Sequence, residues 1–157
     1  MNIENATYAE AAMLINKPIA TVFKAFINPE ITTHFWFTKA TGSLEEGKTI
    51  DWTWEMYGNH VVTVKVLSIK DNESIVIQWG ENEQNIVEWE FNELVNNKTF
   101  VTITFNGIIG TVEELCSQIR DTTEGFTLVL AGLKAYLEHN IELNLVAGRF
   151  PIELIEE

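Results

Sequence analysis

The sequence has few of the features that would cross-link the chain or place it in a membrane. Among 157 residues there is one cysteine, Cys116, so no disulfide can form within the chain, and a reducing compartment suits this composition. No apolar run approaches the roughly 18 residues that a membrane-spanning helix needs. Residues 1–5 have neither the basic region nor the apolar region of a signal peptide. We therefore predict a cytoplasmic protein with no membrane partner.

Positive charge is also scarce. Ten Lys and Arg residues stand against 23 Asp and Glu residues, which leaves a formal net charge of −13. Such a surface repels the phosphates of nucleic acids as well as anionic lipid headgroups. Hydrophobic residues make up 46% of the chain, which is typical of a globular protein rather than a disordered one. The length suits one core, so we predict a single domain over residues 1–157 and no nucleic-acid partner.

Apolar and polar residues alternate from about residue 39 to residue 106, and polar turns divide this region into six segments. The alternation predicts an antiparallel meander with one buried face and one solvated face. A further strand is predicted at 8–15, and Pro18 is expected in the first turn of a short helix that follows it. A second short helical turn is expected to lead into residues 34–37. By parity, four tryptophans point to the buried face of the sheet: Trp52, Trp54, Trp79 and Trp89.

Two capping patterns predict helices in the C-terminal part of the chain. Residues 111–114 have the spacing of a capping box, which predicts a short helix through residue 120. Residues 121–124 have similar spacing and predict a second, longer helix to about residue 140. Its apolar face carries Phe126, Val129, Leu130, Leu133 and Leu137. The buried face of the sheet needs a cover, and only this helix is long enough to supply it.

The order of these elements resembles the helix-grip fold of the START-like (SRPBCC) superfamily, which includes the birch-pollen-allergen type. Segments 17–26 (KPIATVFKAF) and 28–30 (NPE), together with Trp36, are similar to the first helices of one branch. Segment 125–138 (GFTLVLAGLKAYLE) is similar to the closing helix of that branch, the bacterial homologues of the activator of heat-shock protein 90 ATPase. The closing helix commonly begins Gly-Trp in that branch, and here Phe126 stands in place of the tryptophan.

The resemblance implies an α+β fold in which a curved antiparallel sheet of six to seven strands wraps around the long C-terminal helix. It also implies a cavity between sheet and helix, and for most bacterial members no settled activity. We predict that the cavity binds a small apolar or aromatic ligand. The expected lining residues face inward from the sheet and the helix: Trp52, Trp54, Val64, Ile77, Trp79, Trp89, Phe91, Ile103, Phe126, Leu130 and Leu133. His34 and Trp36 are candidates for its mouth.

Three other interpretations stay open. The tryptophans can simply fill the core under the helix, which would leave no room for a ligand. The protein can be an interaction module similar to the chaperone-ATPase activators, with a chaperone as partner. It can also be an enzyme of the cyclase or hydrolase type, because the superfamily contains both. Catalysis would need titratable groups in the cavity, whereas parity places Glu88 and Glu90 on the solvated face, so no catalytic residue is predicted.

Residues 42–49 (GSLEEGKT) match the phosphate-loop pattern GxxxxGK[ST] letter for letter. A phosphate loop needs a helix to begin at its Lys-Thr pair, so that backbone N–H groups point at the phosphates. Here a predicted strand follows instead, and Glu45 and Glu46 would set two negative charges against the nucleotide. We therefore predict a plain hairpin turn and no nucleotide cofactor.

Other residues give weaker indications. No two histidines have the spacing of metal ligands, so no metal site is predicted. Cys116 is expected to be buried as a small hydrophobic residue. The tail over residues 141–157 is too apolar for a free end, and it either folds back on the domain or meets a second copy in a homodimer.

Overall fold

A computed structural model describes residues 7–155 of the chain. The first six residues, in which no signal peptide is predicted, and residues 156–157 at the end of the apolar tail lie outside the described residues. The strands are β1 (Ala9–Ile15), β2 (Lys39–Ala40), β3 (Thr49–Trp54), β4 (His60–Lys70), β5 (Ser74–Trp79), β6 (Ile86–Leu94) and β7 (Lys98–Asn106). The helices are α1 (Ile19–Ile27), α2 (Pro29–Thr32), α3 (Val112–His139), α4 (Leu145–Arg149) and α5 (Ile152–Ile155).

The seven strands form one antiparallel sheet in the order β1-β7-β6-β5-β4-β3-β2. Strands β2 to β7 follow one another as the predicted meander, and β1 adds to it beside β7. The register explains the buried face: Trp89 on β6 lies opposite Ile75 on β5 and Ile103 on β7, and all three are buried. The predicted helix-grip architecture, with two short helices after the first strand and a long C-terminal helix, is confirmed.

The two helices predicted on either side of residue 120 are a single helix, α3, of 28 residues. The capping box is present, since Glu114 N–H donates to Thr111 Oγ1 over 3.2 Å and Thr111 N–H donates to Glu114 Oε2 over 2.8 Å. The second predicted start is wrong, because residues 112–120 include neither a glycine nor a proline that would end the helix before residue 121. The uninterrupted helix is about 42 Å long.

Only the second half of α3 packs into the core. Its buried residues begin at Phe126 and end at Leu133, whereas residues 112–124 are exposed or partly exposed. The prediction that Cys116 is buried is therefore wrong, since this residue lies on the exposed first half of the helix. The helix ends at Asn140, which adopts a left-handed conformation with φ of 53°.

A polar cluster fixes the C-terminal half of α3 to the end of β1. Lys134 Nζ donates to the carbonyl oxygen of Leu14 and pairs with Glu138, each over 2.7 Å. Glu138 also accepts from the backbone and side chain of Asn16, over 3.1 and 2.9 Å. Burial by itself raises the pKa of Glu138, but the hydrogen bonds from Lys134 and Asn16 outweigh it and lower the pKa from 4.5 to about 2.

Residues 41–48 form the loop between β2 and β3, as the hairpin interpretation predicts, and Thr49 is the first residue of β3. Lys48 N–H donates to the carbonyl oxygen of Glu45 over 3.0 Å, which closes a tight turn. Gly47 lies in this turn with φ of 85°, a conformation that favours glycine. The chain then continues directly into β3, so a strand and not a helix begins at the Lys48-Thr49 pair.

Candidate functional site

Trp36 lies between the sheet and α3, at the centre of a cluster that contains all five tryptophans of the chain. Its ring centroid is 5.0 Å from that of Trp52, and it lies 6.1 to 6.3 Å from those of Trp54, Trp79 and Trp89. From the helix side, Phe126 approaches it edge-on at 6.1 Å. Trp36 thus occupies much of the space that the fold leaves between its two layers.

Hydrogen bonds hold the segment that carries Trp36 at both ends. The buried Thr32 hydroxyl donates to the backbone of α1, and the Thr32 carbonyl accepts from Trp36 N–H over 3.0 Å. On the other side, Thr38 Oγ1 donates to the Thr53 carbonyl of β3 over 3.0 Å. Because hydrogen bonds fix the backbone on both sides of Trp36, this residue has a defined position although it lies in a loop.

A cavity of about 310 Å³ remains beside Trp36, toward the middle of α3. Its wall combines residues from the sheet, from α3 and from the C-terminal tail: Trp36, Trp54, Trp79, Phe105, Thr122, Gly125, Phe126, Leu128, Val129, Val146 and Phe150. Thr122 contributes the only side-chain hydroxyl among them, and within the described part of the chain no titratable side chain belongs to this wall. The cavity can therefore hold an apolar molecule by area burial, with the indole N–H groups and one hydroxyl as polar contacts.

Three of the eleven predicted lining residues, Trp54, Trp79 and Phe126, lie in this wall. The other eight are buried in the packed core and are not part of the wall: Trp52, Val64, Ile77, Trp89, Phe91, Ile103, Leu130 and Leu133. Trp36, expected at the mouth, lies inside and is 7% exposed. Among residues 7–155, the buried N–H of Trp89 has no hydrogen-bond partner, which leaves a free donor inside the aromatic cluster.

Several wall residues were missing from the sequence-based set. Phe105 alternates in step with the inward-facing residues of β7, and Val129 lies on the apolar face of the predicted helix. The sequence pattern therefore indicates that both side chains face the space between sheet and helix. Val146 and Phe150 belong to the tail, where the sequence shows many apolar residues but no pattern that places them in the fold. Their position depends on how the tail folds back, which no local pattern encodes.

His34, the other candidate for the mouth, lies outside the wall of this cavity. Its ring stacks on Tyr136 of α3, with centroids 4.5 Å apart and planes 10° apart. Its Nδ1 is hydrogen-bonded to Glu142 in the tail. A separate small cavity of about 60 Å³ lies here between residues 33–38 and the tail, so the His34 position is a contact point between these two segments.

Neither a metal site nor a membrane span is found among the described residues. Across residues 7–155, no three histidine, cysteine or acidic side chains gather as ligands for an ion. Within the same range, every helix is too short or too polar to cross a lipid bilayer.

Residues 16–138, more than half of the chain, match the model of a family described as activator of Hsp90 ATPase homolog 1-like protein. A protein of known structure from Staphylococcus saprophyticus is 29% identical, with a TM-score of 0.74 over 87% of this chain and 95% of that one. No curated protein matches the sequence.

Two further solved structures are similar at lower identity. The Aha1 dimer from Colwellia psychrerythraea is 17% identical, with a TM-score of 0.73 over 84% of this chain and 96% of that one. An Hsp90 activator from Plasmodium falciparum is 21% identical, with a TM-score of 0.62 over 84% of this chain and 96% of that one. At these identities the two likenesses show the fold alone.

Proposed function

This chain belongs to the activator of Hsp90 ATPase homolog 1-like family, and on that premise we propose that it binds a small, uncharged apolar or aromatic molecule between the sheet and α3. Membership confirms the resemblance that segments 17–26 and 125–138 indicated. The proposal includes a cytoplasmic location, which suits a chain whose one cysteine, Cys116, is an exposed free thiol.

The observation that carries the proposal is the apolar cavity beside Trp36. Its volume of about 310 Å³ is at the lower end of the range of about 300–1,000 Å³ found for ligand pockets. Aromatic rings from both the sheet and α3 belong to its wall, which favours an aromatic molecule. An uncharged ligand is favoured because the protein has a net charge of −13 and the wall offers no counter-charge.

The expected affinity is modest. At roughly 0.3 kcal/mol per non-hydrogen atom, a ligand of about 17 such atoms gains about 5 kcal/mol, which corresponds to a Kd on the order of 0.1 mM. A natural ligand that also hydrogen-bonds to Thr122 or to an indole N–H would bind more tightly. We do not extend the proposal to catalysis, since the wall residues include no candidate acid or base.

The test is a fluorescence titration with N-phenylnaphthylamine, an uncharged aromatic probe. Binding in the cavity should quench the emission of Trp36, Trp54 and Trp79, and the probe should emit in turn. The variant G125L places a side chain at the cavity wall, where a Cβ meets no atom within 4 Å. It should weaken binding, whereas T127L, on the exposed face of the same helix, should not. Equal binding by both variants would count against a site in this cavity.

Family membership also favours a second function, contact with a chaperone ATPase. Two proteins of the same fold are named as an Aha1 dimer and as an Hsp90 activator. On this proposal, adding the protein to a bacterial homologue of that chaperone should change its rate of ATP hydrolysis. A rate that stays constant up to a large molar excess would reject this function and leave ligand binding untouched. Analytical ultracentrifugation of the same samples would establish whether this chain is itself a dimer.

A further inference from the structure

The C-terminal tail covers part of the cavity. After Asn140 ends α3, residues 141–144 reverse the chain, and Asn144, also left-handed with φ of 52°, precedes α4. Two side chains of the tail, Val146 and Phe150, then belong to the cavity wall. The family match ends at residue 138, so this part of the wall is supplied by a segment outside the matched region.

Contacts on both sides of the cavity fix the tail in this position. Toward the sheet, the Tyr57 hydroxyl donates to the carbonyl oxygen of Val146, and its ring meets Phe150 edge-on at 6.2 Å. Toward α3, Arg149 pairs with Glu124. The Arg149 guanidinium also lies 4.5 Å from the centre of the Phe150 ring. The tail therefore bridges the sheet side and the helix side of the cavity.

These contacts are weak enough to open. No residue of α4 is buried, and Phe150 is 45% exposed. The side chains of Arg149 and Glu124 are 47% and 41% exposed, and exposed ion pairs contribute little. Segments with few buried contacts open locally at low free energy, without unfolding of the core.

Phe150 also separates two spaces. On its inner side is the cavity of about 310 Å³. On its outer side is an open groove of about 600 Å³, which is lined mainly by apolar residues of the tail together with Met56. Phe150 belongs to the walls of both, so its ring forms a partition between them.

We propose that the tail is a lid over the cavity and that Phe150 sets the maximum length of the ligand. This inference rests on the proposed ligand-binding function and extends it to the ligand's size. A ligand that fits inside the cavity is enclosed by Val146 and Phe150. A longer one needs the Phe150 ring to move aside, after which its end lies in the apolar groove.

The experiment measures how straight-chain alcohols of increasing length displace N-phenylnaphthylamine from the full-length protein. While the chain fits the cavity, each added methylene should raise affinity about fourfold, and the gain should stop when the cavity is full. In F150A the gain should continue to longer chains, because the partition is gone. L154A is the matched control, since Leu154 is 73% exposed in the same tail and lines neither space.

A second pair of variants tests the lid without altering the wall. E124Q removes the partner of Arg149, and it should raise the association rate of the probe about two- to fivefold. D121N removes an equivalent charge one turn earlier on α3 and should leave the rate unchanged. Thermal unfolding of each variant verifies that the fold is intact.

The outcomes separate the two proposals. A longer cut-off in F150A but not in L154A, with faster association in E124Q but not in D121N, supports the lid. An unchanged cut-off and unchanged rates would overturn the lid while ligand binding stands. If neither the probe nor any alcohol binds to any of the proteins, both proposals fall together.

Discussion

Gly132 of α3 lies directly against Phe35, the residue before Trp36. A Cβ at position 132 would be 3.2 Å from Phe35 Cβ and 3.3 Å from the Phe35 carbonyl oxygen. Because glycine has no side chain, the helix can approach this segment closely enough to cover the tryptophan cluster. The contact therefore determines how much room remains between α3 and the sheet.

Replacing Gly132 with alanine tests this contact. In an exposed helix position, Gly→Ala stabilises by about 0.5–1 kcal/mol, because alanine restricts the unfolded chain and favours helix. In G132A the methyl group instead meets backbone and Cβ atoms of Phe35 that cannot move freely, so we expect destabilisation of about 1–3 kcal/mol. G125A in the same helix is the control, since its Cβ has open space and should stabilise. Chemical denaturation measures both, and equal stabilisation of the two variants would contradict the close contact.

Trp36 is expected to contribute to stability as well as to the shape of the site. W36A removes a 7% exposed indole that contacts the other four tryptophans, and such truncations destabilise by about 3–5 kcal/mol. For a chain of this size the melting temperature should fall by about 6–20 °C. V112A, at a position 65% exposed, should change it little. A melting temperature of W36A close to that of the wild type would mean that Trp36 is not packed as described.

The lowered pKa of Glu138 predicts acid sensitivity at the junction between α3 and β1. A carboxylate whose pKa is lower in the folded protein stabilises it above the unfolded pKa, and this contribution is lost as the pH falls through the folded value. The loss should therefore occur between about pH 4.5 and about pH 2. The shift corresponds to at most about 3 kcal/mol, and solvent screening at the helix end reduces the expected contribution to about 1–2 kcal/mol.

E138Q isolates that contribution. It should lower the free energy of unfolding at neutral pH, and its stability should decline less than that of the wild type on acidification below about pH 4.5. E113Q is the control, because Glu113 lies on the exposed first turn of α3. Parallel stability–pH curves for E138Q and the wild type would show that the Lys134 and Asn16 contacts do not stabilise the ionised form.

The sheet could be predicted from the sequence because each strand has one buried face. Trp52, Val64, Ile77 and Trp89 follow a period of two, and a shift of one residue would move them all to the solvent side. The single helix α3 could not be predicted in the same way. Residues 121–124 have a spacing that fits the start of a helix as well as its interior. Which of the two applies depends on whether the preceding residues are already helical.

The site was less accessible to sequence reasoning than the fold. Parity identifies inward-facing residues but does not distinguish those that fill the core from those that border an empty space. That difference depends on Trp36, which reaches the space from a loop, and on the tail residues Val146 and Phe150. These three positions are set by long-range packing, so no local pattern contains them.

On the proposed function, a ligand occupies the cavity between Trp36, the sheet and α3. The most direct measurement is a set of nuclear Overhauser effects between bound N-phenylnaphthylamine and methyl groups of the protein. We expect contacts to the methyls of Val129 and Val146, which lie in the wall, and none to Leu133, which is buried in the core. Probe contacts confined to the exposed methyls of Leu143 or Leu154, with none to Val129, would contradict binding in this cavity.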